Sequence, residues 1–393
     1  MEKCLAKLPF GKENLEKYGE LISKYSFALG LFIELTIVIL EKSEYIIQYE
    51  GLWFRLTFLL FGVSLITTKH GLREWIALFF FGIVGVISYK VSGRNEILRW
   101  IVFIWACQGK DRRKVFKFTF WYTLAGCALL FILSLTGLYG TMYLETIFRP
   151  EFYGDMESIE RRYCFGMGHP NSFHCMMLVV TWLGLYSYGE KIKWQSYLPI
   201  MGLHLLVYYF TGSRTGLLMS AGTLGIVFFI KACEKYKKEI VPCLMGMITI
   251  VFCVAFSVFM AKHSINHPLL QKIDGFLTGR IYALMNSYKN DGMLSTWFLW
   301  SRTVNNNYFD LGIVRFFYWY GIIPGILYFI GQCRLMWCGY KKRDYMMIAI
   351  LICITVYSVF EAHFVSDYIG RNYVLFFFGM YLSELLGSKK ERV

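Results

Sequence analysis

Residues 240–261 read IVPCLMGMITIVFCVAFSVFMA and contain no charged side chain. As an α-helix they would extend about 33 Å, enough to cross the roughly 30 Å hydrocarbon core of a bilayer. The rest of the 393-residue chain has a similar character, because 56% of all residues are hydrophobic, 19% are aromatic and 17% are charged. A soluble protein has no means of burying so much apolar surface, so the sequence predicts an integral membrane protein.

Twelve apolar segments are spread along the chain, and they predict an all-α, polytopic membrane protein with about twelve transmembrane helices. No long polar segment marks a soluble domain, so residues 1–393 are predicted to form a single integral membrane domain. The fourth segment is the shortest, and a re-entrant fourth segment would invert the topology of everything after it. The segments are 23–40, 52–68, 73–90, 97–108, 117–137, 168–188, 195–211, 215–232, 240–261, 312–332, 345–361 and 371–387.

Lysine and arginine are distributed unevenly between the loops. With the N-terminus inside, the segments assigned to the cytoplasm carry 25 basic residues, whereas the short outer loops carry only Lys42, Lys90, Arg94, Arg214 and Arg371. Because cytoplasmic loops are enriched in basic residues, this bias predicts a multi-pass protein of the cell (plasma) membrane with both termini inside. The net charge of +14 follows from the same bias, which argues against nucleic-acid binding. The first apolar segment lacks a small-residue cleavage site and is expected to remain as an anchor.

Two segments are too polar to cross the membrane, and both are predicted to be extracytoplasmic. They are residues 138–167 and the longer loop 262–311, which joins the ninth and tenth helices. A long loop in a compact protein is often functional. Residues 269–299 mix apolar and polar side chains, a pattern that predicts short amphipathic helices on the membrane surface.

The predicted outer loops are rich in arginine. A guanidinium group binds pairs of phosphate oxygens, so an outward-facing cluster suits a lipid-linked phosphate or pyrophosphate. For any single arginine, contact with lipid headgroups or a local salt bridge is an equally good interpretation. The arginines are Arg149, Arg161, Arg162, Arg214, Arg280 and Arg302.

Short motifs accompany these arginines. The pair at 161–162 precedes GMGHPN at 166–171, where glycines permit tight turns and a proline suits the first turn of the sixth helix. His169 in this motif could donate a hydrogen bond to a phosphate or move a proton, although such a histidine is often only interfacial.

Three further motifs lie in the second half of the chain. GSRTG at 212–216 holds Arg214 at membrane depth, where an ionisable residue is a functional hypothesis by default. TGR at 278–280 repeats the arginine within the long loop. NNNY at 305–308 closes that loop, and its asparagines could bind sugar hydroxyls or form a turn and helix cap.

Several familiar site types are absent from the sequence. There is no GxxxxGK[ST] loop, no GxGxxG after a strand and no DxD pair for a metal-bound nucleotide sugar. His263 and His267 have helical i, i+4 spacing, but a proline follows and no third ligand is evident. The sequence therefore predicts no metal site and no cofactor.

The arginine and asparagine motifs, in the order in which they occur along the chain, resemble those of the Wzy-type polysaccharide polymerases. These polymerases belong with the O-antigen ligases. The resemblance is strongest to the capsular and exopolysaccharide polymerases of Gram-positive bacteria. It rests on RR at 161–162 leading to GHPN at 168–171, on SRT at 213–215, on TGR at 278–280, and on NNY at 306–308 followed by YGII at 320–323. The matching topology covers nearly the whole chain.

The resemblance implies a membrane glycosyltransferase of polysaccharide biosynthesis that acts at the outer face. A growing glycan leaves undecaprenyl pyrophosphate and is joined to a sugar hydroxyl of a fresh lipid-linked repeat unit. The glycosyl–pyrophosphate bond supplies the energy, so neither nucleotide nor metal is needed. The implied partners are undecaprenyl-pyrophosphate-linked oligosaccharide, membrane lipids, a flippase and a chain-length regulator.

The resemblance also implies roles for individual residues. Arg214 and Arg280 would together hold the pyrophosphate and stabilise the charge that develops on it, so Arg280 is expected to approach Arg214. His169 is the first candidate for a catalytic proton acceptor. The implied substrate-binding residues are Arg161, Arg162, Asn171, Asn306, Asn307 and Tyr308.

The sequence departs from the family at Asn306, where an acidic residue or histidine often stands. An amide cannot act as a base, so Glu361 and Asp310 are alternatives to His169, or the reaction needs no strong base because leaving-group stabilisation dominates. Three other functions compete: a ligase-like glycan transferase, a flippase or transporter of lipid-linked oligosaccharide, and a non-catalytic scaffold. Transporters of this size usually contain internal repeats and broken helices in matched positions, and the sequence has neither.

Overall fold

The computed structural model describes residues 12–146, 159–277, 279–286, 292–302 and 309–387. Within them the chain forms sixteen α-helices and a two-stranded antiparallel sheet. The helices are α1 Lys12–Lys42, α2 Glu50–Thr67, α3 Leu72–Ser92, α4 Glu96–Cys107, α5 Arg112–Leu135, α6 Pro170–Tyr188, α7 Tyr197–Thr211, α8 Arg214–Lys235, α9 Ile240–His263, α10 Pro268–Phe276, α11 Arg280–Asn286, α12 Gly312–Tyr320, α13 Ile322–Lys342, α14 Tyr345–Phe360, α15 Tyr373–Met380 and α16 Leu382–Leu385. The strands are β1 Tyr143–Thr146 and β2 Glu160–Tyr163.

Seven helices among the described residues are long and apolar enough to cross a membrane: α1, α2, α3, α5, α8, α9 and α13. The shorter α14 is also apolar. These helices confirm an all-α membrane protein. Each of the twelve predicted segments lies largely within helix, while the number of spans and the orientation remain predictions.

The tenth predicted segment is broken into α12 and α13 at Gly321. This glycine has φ +97°, and a Cβ there would lie 2.7 Å from the carbonyl oxygen of Leu299. The preceding loop packs against the break, and the backbone N–H groups of Ile322 and Ile323 donate to the carbonyls of Phe298 and Leu299 at 2.9 and 3.1 Å. The loop thus satisfies donors that a helix break would otherwise leave unpaired.

The short fourth segment joins the two ends of the helical bundle. Helix α4 has twelve residues and a length of about 18 Å. Near its start, Arg94 pairs with Glu96 at 3.2 Å and with Asp367 at 3.5 Å. After its last turn, Gln108 donates to the Ser383 hydroxyl at 3.0 Å, on the far side of the bundle. The segment is thus one unbroken helix, and whether it crosses the membrane remains a prediction.

Ion pairs gather at the end of the bundle where α5 and α14 begin. Arg112 pairs with Asp344 at 3.5 Å, and Lys342 pairs with Glu384 at 3.3 Å. These contacts bring together basic segments that the charge bias assigns to the cytoplasm. We call this the basic end. The other end, where α1 and α14 finish and α6 begins, is called the cavity end.

A buried ion pair connects the bundle core to the cavity end. Glu34 on α1 is fully buried and lies 3.4 Å from the Arg99 guanidinium on α4. The hydroxyl of Thr57 donates to the Glu34 carboxylate at 2.6 Å, and Arg99 also donates to the Asp367 carbonyl at 2.8 Å. Breaking a buried ion pair is costly, because it leaves an uncompensated charge. The pair with Glu34 therefore holds Arg99 in place, and the bond from Arg99 to the Asp367 carbonyl fixes the segment around Asp367.

The described parts of the two polar loops contain regular structure. Residues 138–167 contain the β1–β2 hairpin, in which Glu145 pairs with Arg161. The loop 262–311 contains α10 and α11, as its mixed pattern predicted. Buried leucine and isoleucine side chains anchor these helices. The Asp274 carboxylate of α10 accepts bonds from the backbone N–H groups of Ile281 and Tyr282 at 2.7 and 3.2 Å, which fixes the start of α11 and the residue that begins it, Arg280.

Candidate functional site

Arg280 is held by three side chains from distant parts of the chain. Its Nε donates to Asp310 Oδ2 at 3.1 Å, its Nη1 to Thr215 Oγ1 at 3.0 Å and its Nη2 to Glu361 Oε1 at 2.5 Å. Arg280 is 8% exposed. The guanidinium therefore links the long loop to the start of α8 and to the end of α14.

The contact with Thr215 brings the SRT motif at 213–215 and the TGR motif at 278–280 together. Arg214 precedes Thr215 as the first residue of α8 and has an exposed side chain. Arg214 forms no ion pair with any residue in the described part of the chain. Arg280 therefore contacts the residue next to Arg214, and its own donors are taken up by Asp310, Glu361 and Thr215.

A polar cavity of about 500 Å³ lies at the cavity end. It is bounded by the last residues of α1, the first turn of α6, part of α12 and the segment between α14 and α15. His169, His363 and Asn171 contribute to its lining. Its cations are Lys42, Arg315 and Arg371, and its carboxylates are Glu41, Asp310, Glu361 and Asp367. The cavity thus offers both anion-binding groups and proton acceptors.

His169 is the N-cap of α6, and its Nδ1 accepts a hydrogen bond from the backbone N–H of Asn171 at 3.2 Å. A neutral imidazole that accepts at Nδ1 carries its proton on Nε2. Burial lowers the pKa of His169, and the charge of Arg162 lowers it further while Asp310 opposes the shift. The ring is therefore neutral near pH 7 and can act at Nε2 as a hydrogen-bond donor.

Arg162 ties the hairpin to two helix ends. Its Nε donates to the Thr211 carbonyl at 2.6 Å, and its Nη2 donates to Asn171 Oδ1 at 3.0 Å. Gly212 has φ +59°, and a Cβ there would lie 3.1 Å from Arg162 Nε, so this turn favours glycine. Arg162 therefore fixes the position of Asn171 at the cavity.

Arg161 takes part in the hairpin instead. Its guanidinium pairs with Glu145 at 2.5 Å and lies 4.5 Å from the centre of the Tyr143 ring. Both charged side chains are about half exposed. For Arg161 the structure thus shows a local salt bridge. The predicted substrate-binding residues Asn306, Asn307 and Tyr308 lie outside the described residues.

Glu361 combines burial with a charged partner. Burial raises the pKa of its carboxyl to about 7; Arg280 opposes the rise and Asp310 adds to it. Burial acts to lower the pKa of the Arg280 guanidinium, but the carboxylates of Glu361 and Asp310 raise it. A carboxyl whose pKa is raised in this way is suited to proton transfer near neutral pH, and the raised pKa of Arg280 favours its charged form. A general base works best with a pKa near the working pH.

Among the residues that line the cavity, four basic ones were not predicted as site residues from the sequence: Lys42, Arg315, His363 and Arg371. Lys42 and Arg371 were counted only as outer-loop charges. Arg315 offered a usable signal, because it is an ionisable residue inside a predicted membrane span. His363 follows the apolar segment of α14, and no spacing marks it in the sequence.

The described residues contain no group of three His, Cys, Asp or Glu side chains that could hold a metal ion. The ring centres of His263 and His267 lie 5.8 Å apart, and each lies 5.0 Å from the Phe259 ring. His267 also caps α10, since its Nδ1 accepts from the backbone N–H of Leu269 at 3.2 Å. These contacts give both histidines a packing role.

Comparisons of the chain with protein-family models, with curated proteins and with solved structures find no match. The functional argument therefore rests on the sequence motifs and on the geometry of the cavity end.

Proposed function

We propose that the protein is a polysaccharide polymerase of the plasma membrane, which transfers a growing glycan from undecaprenyl pyrophosphate to a lipid-linked repeat unit. The observation that carries the proposal is that the GHPN motif lines a polar cavity whose Asp310 and Glu361 side chains bond to Arg280 of the TGR motif. Arg280 bonds to Thr215 of the SRT motif, and the GHPN motif supplies His169 and Asn171 to the cavity lining.

The cavity contains the groups that such a transfer requires. A sugar hydroxyl of the acceptor attacks the anomeric carbon of the donor glycan. A new C–O bond forms while the bond from that carbon to the pyrophosphate oxygen breaks, and the leaving oxygen keeps the electron pair. Cations stabilise the charge that develops on the pyrophosphate, and a base receives the hydroxyl proton.

Glu361 is the best candidate for this base. Its raised pKa suits proton transfer near neutral pH. His169 is less suitable than the sequence suggested, because its Nδ1 is engaged as the helix cap. In this mechanism His169 donates a hydrogen bond to the substrate, and Arg280 positions the Glu361 carboxylate.

The location of the cavity favours an enzyme over a transporter. Transporters bind their substrates near the bilayer midplane, between repeats that rock against each other. Here the lining comes from helix ends, such as Lys42 at the end of α1, His169 before α6 and Glu361 after α14. A ligase-like transferase would use the same chemistry with a different acceptor.

The proposal is tested with the full chain reconstituted in lipid with undecaprenyl-pyrophosphate-linked repeat units. Longer lipid-linked glycans should form without added nucleotide, and they should still form when a chelator removes divalent metal. Gel electrophoresis of the labelled glycan measures the products. A protein that moves the lipid-linked unit between leaflets and never lengthens the glycan would falsify the proposal.

The mechanism also requires the cavity end to face outwards. Reporter fusions near Lys110, Lys193, Lys237 and Lys341 should report the cytoplasm, and fusions near residues 155 and 289 should report the outside. The charge bias between loops is the reason for this expectation. A fusion at Lys237 and one at residue 289 that report the same side would contradict the topology in its second half.

A further inference from the structure

An apolar groove of about 880 Å³ runs along the lateral surface of the bundle between α9 and α13. We call it the α9–α13 groove. Val251, Ile326 and Ile330 line it and are exposed. From Ile326 to Trp337 the groove follows α13 for about 16 Å. One leaflet is half of a hydrocarbon core of roughly 30 Å, so the apolar part of the groove is about as long as one leaflet is thick.

A second apolar groove, of about 270 Å³, lies between α13 and α4. We call it the α4–α13 groove. Ile330 and Arg334 line both grooves, and their i, i+4 spacing places them on one face of α13, where they form the ridge between the grooves. Among the described residues that line the α4–α13 groove, Arg334 is the only charged one. The two grooves therefore share one guanidinium.

Arg334 lies in an unusual place for a charged side chain. Helix α13 is long and apolar enough to span the membrane, and Arg334 stands about two turns before its end at Lys342. The side chain is exposed, and it forms no ion pair or hydrogen bond with any residue in the described part of the chain. A charge within a membrane span is costly unless it has a partner, so its long side chain is expected to reach towards the lipid headgroups.

The end of the α9–α13 groove that lies at the basic end has a surplus of positive charge. Lys341 lines it together with Arg334, and its ammonium lies 5.3 Å from the centre of the Trp337 ring. Glu384, the only carboxylate among the described lining residues, already pairs with Lys342 at 3.3 Å. Tryptophan is enriched where a membrane meets water, so Trp337 indicates that both cations lie at the level of the headgroups.

We propose that one anionic phospholipid, from the leaflet at the basic end, binds across α13. Its phosphate lies at Arg334 and Lys341, and one acyl chain lies in each groove. The guanidinium and the ammonium supply charge-assisted hydrogen bonds to the phosphate. Basic pockets between membrane helices on the cytoplasmic side bind anionic headgroups, and the charge bias assigns the basic end to the cytoplasm. The site lies away from the polar cavity and does not depend on the proposed function.

The test counts lipids bound to the purified full chain, released from detergent, by native mass spectrometry. The probes are phosphatidylglycerol, zwitterionic phosphatidylcholine, lysophosphatidylglycerol with one acyl chain, and a polyprenyl phosphate. We expect one phosphatidylglycerol to bind, and the phosphatidylcholine and the lysolipid to have Kd values about tenfold higher or more, since a charge-assisted hydrogen bond and a buried chain are each worth at least that factor.

Two variants examine the two parts of the site. Arg334→Gln should raise the Kd for phosphatidylglycerol about tenfold and remove the preference over phosphatidylcholine. Arg343→Gln is the matched control, because Arg343 follows the end of α13, pairs with Glu239 at 3.6 Å and lines neither groove. Ala255 lines the α9–α13 groove and is exposed, so Ala255→Trp should fill the groove and bring the two-chain lipid to the Kd of the lysolipid.

Several results would overturn the proposal. They are equal Kd values for phosphatidylglycerol and phosphatidylcholine, a lysolipid that binds as tightly as the two-chain lipid, and losses of the same size in Arg334→Gln and Arg343→Gln. Tighter binding of the polyprenyl phosphate would assign the grooves to a different lipid. The comparison of lipids on the wild type decides even where a variant does not fold. Because no glycan takes part, a failure of the proposed function leaves this result unchanged.

Discussion

Replacement of Arg280 by lysine is expected to slow glycan extension by about two to three powers of ten, because Arg280 positions the carboxylate proposed as the base and a positioned base contributes about two to four powers of ten. Lysine keeps the charge but loses the planar fork, so it cannot bond to Asp310, Thr215 and Glu361 together. The measurement is the initial rate of glycan lengthening in the reconstituted system. Size-exclusion chromatography of the variant checks that it still folds.

Arg302→Lys is the matched control for this change. Arg302 belongs to the same long loop, is exposed and lies 4.6 Å from the centre of the Phe298 ring, so its replacement should leave the rate unchanged.

A second measurement separates two roles for Arg280. A positioning role alters the pH profile of the rate, whereas direct contact with the leaving group raises the Kd for pyrophosphate. An Arg280→Lys enzyme with the wild-type rate would exclude both roles.

Much of the fold could be predicted because apolar periodicity and length act locally along the chain. The segment 240–261 was predictable as a helix because its length and its uniformly apolar sequence are local features of the chain. The break at Gly321 could not be predicted, because it depends on loop residues 298–301 that approach from outside the segment. The buried pair of Glu34 and Arg99 was also missed, since nothing in the sequence matches a charge on α1 to one on α4.

The site was predictable to the extent that its residues stand in motifs. TGR at 278–280 and SRT at 213–215 indicated residues that the structure brings into contact. The partners of Arg280 were harder to foresee. Asp310 and Glu361 were only alternatives for a base, and their shared bond to Arg280 depends on how α14 ends beside the long loop. Arg161 and Arg162 are neighbours in one motif, but Arg162 bonds to Asn171 at the cavity end while Arg161 pairs with Glu145 within the hairpin.

Replacement of Glu361 by glutamine is expected to have the largest effect of any single change. Glutamine has nearly the same shape and can still accept a hydrogen bond from Arg280, but it cannot accept a proton. If Glu361 receives the proton of the acceptor hydroxyl, the rate of glycan lengthening should fall by about two to four powers of ten. Glu384→Gln is the control, because Glu384 pairs with Lys342 at the basic end and should not affect the rate.

The pH dependence tests the same assignment by a separate measurement. Because burial raises the pKa of Glu361 to about 7, the wild-type rate should rise about tenfold per pH unit below pH 7 and level off above it. Between the ordinary value of 4.5 and about 7, the folded chain binds a proton that the unfolded chain does not. The stability of the wild type should therefore fall as pH rises through this window, by linkage. The glutamine variant should lose both dependences, and an unchanged pH profile of its residual rate would assign the proton transfer to another group.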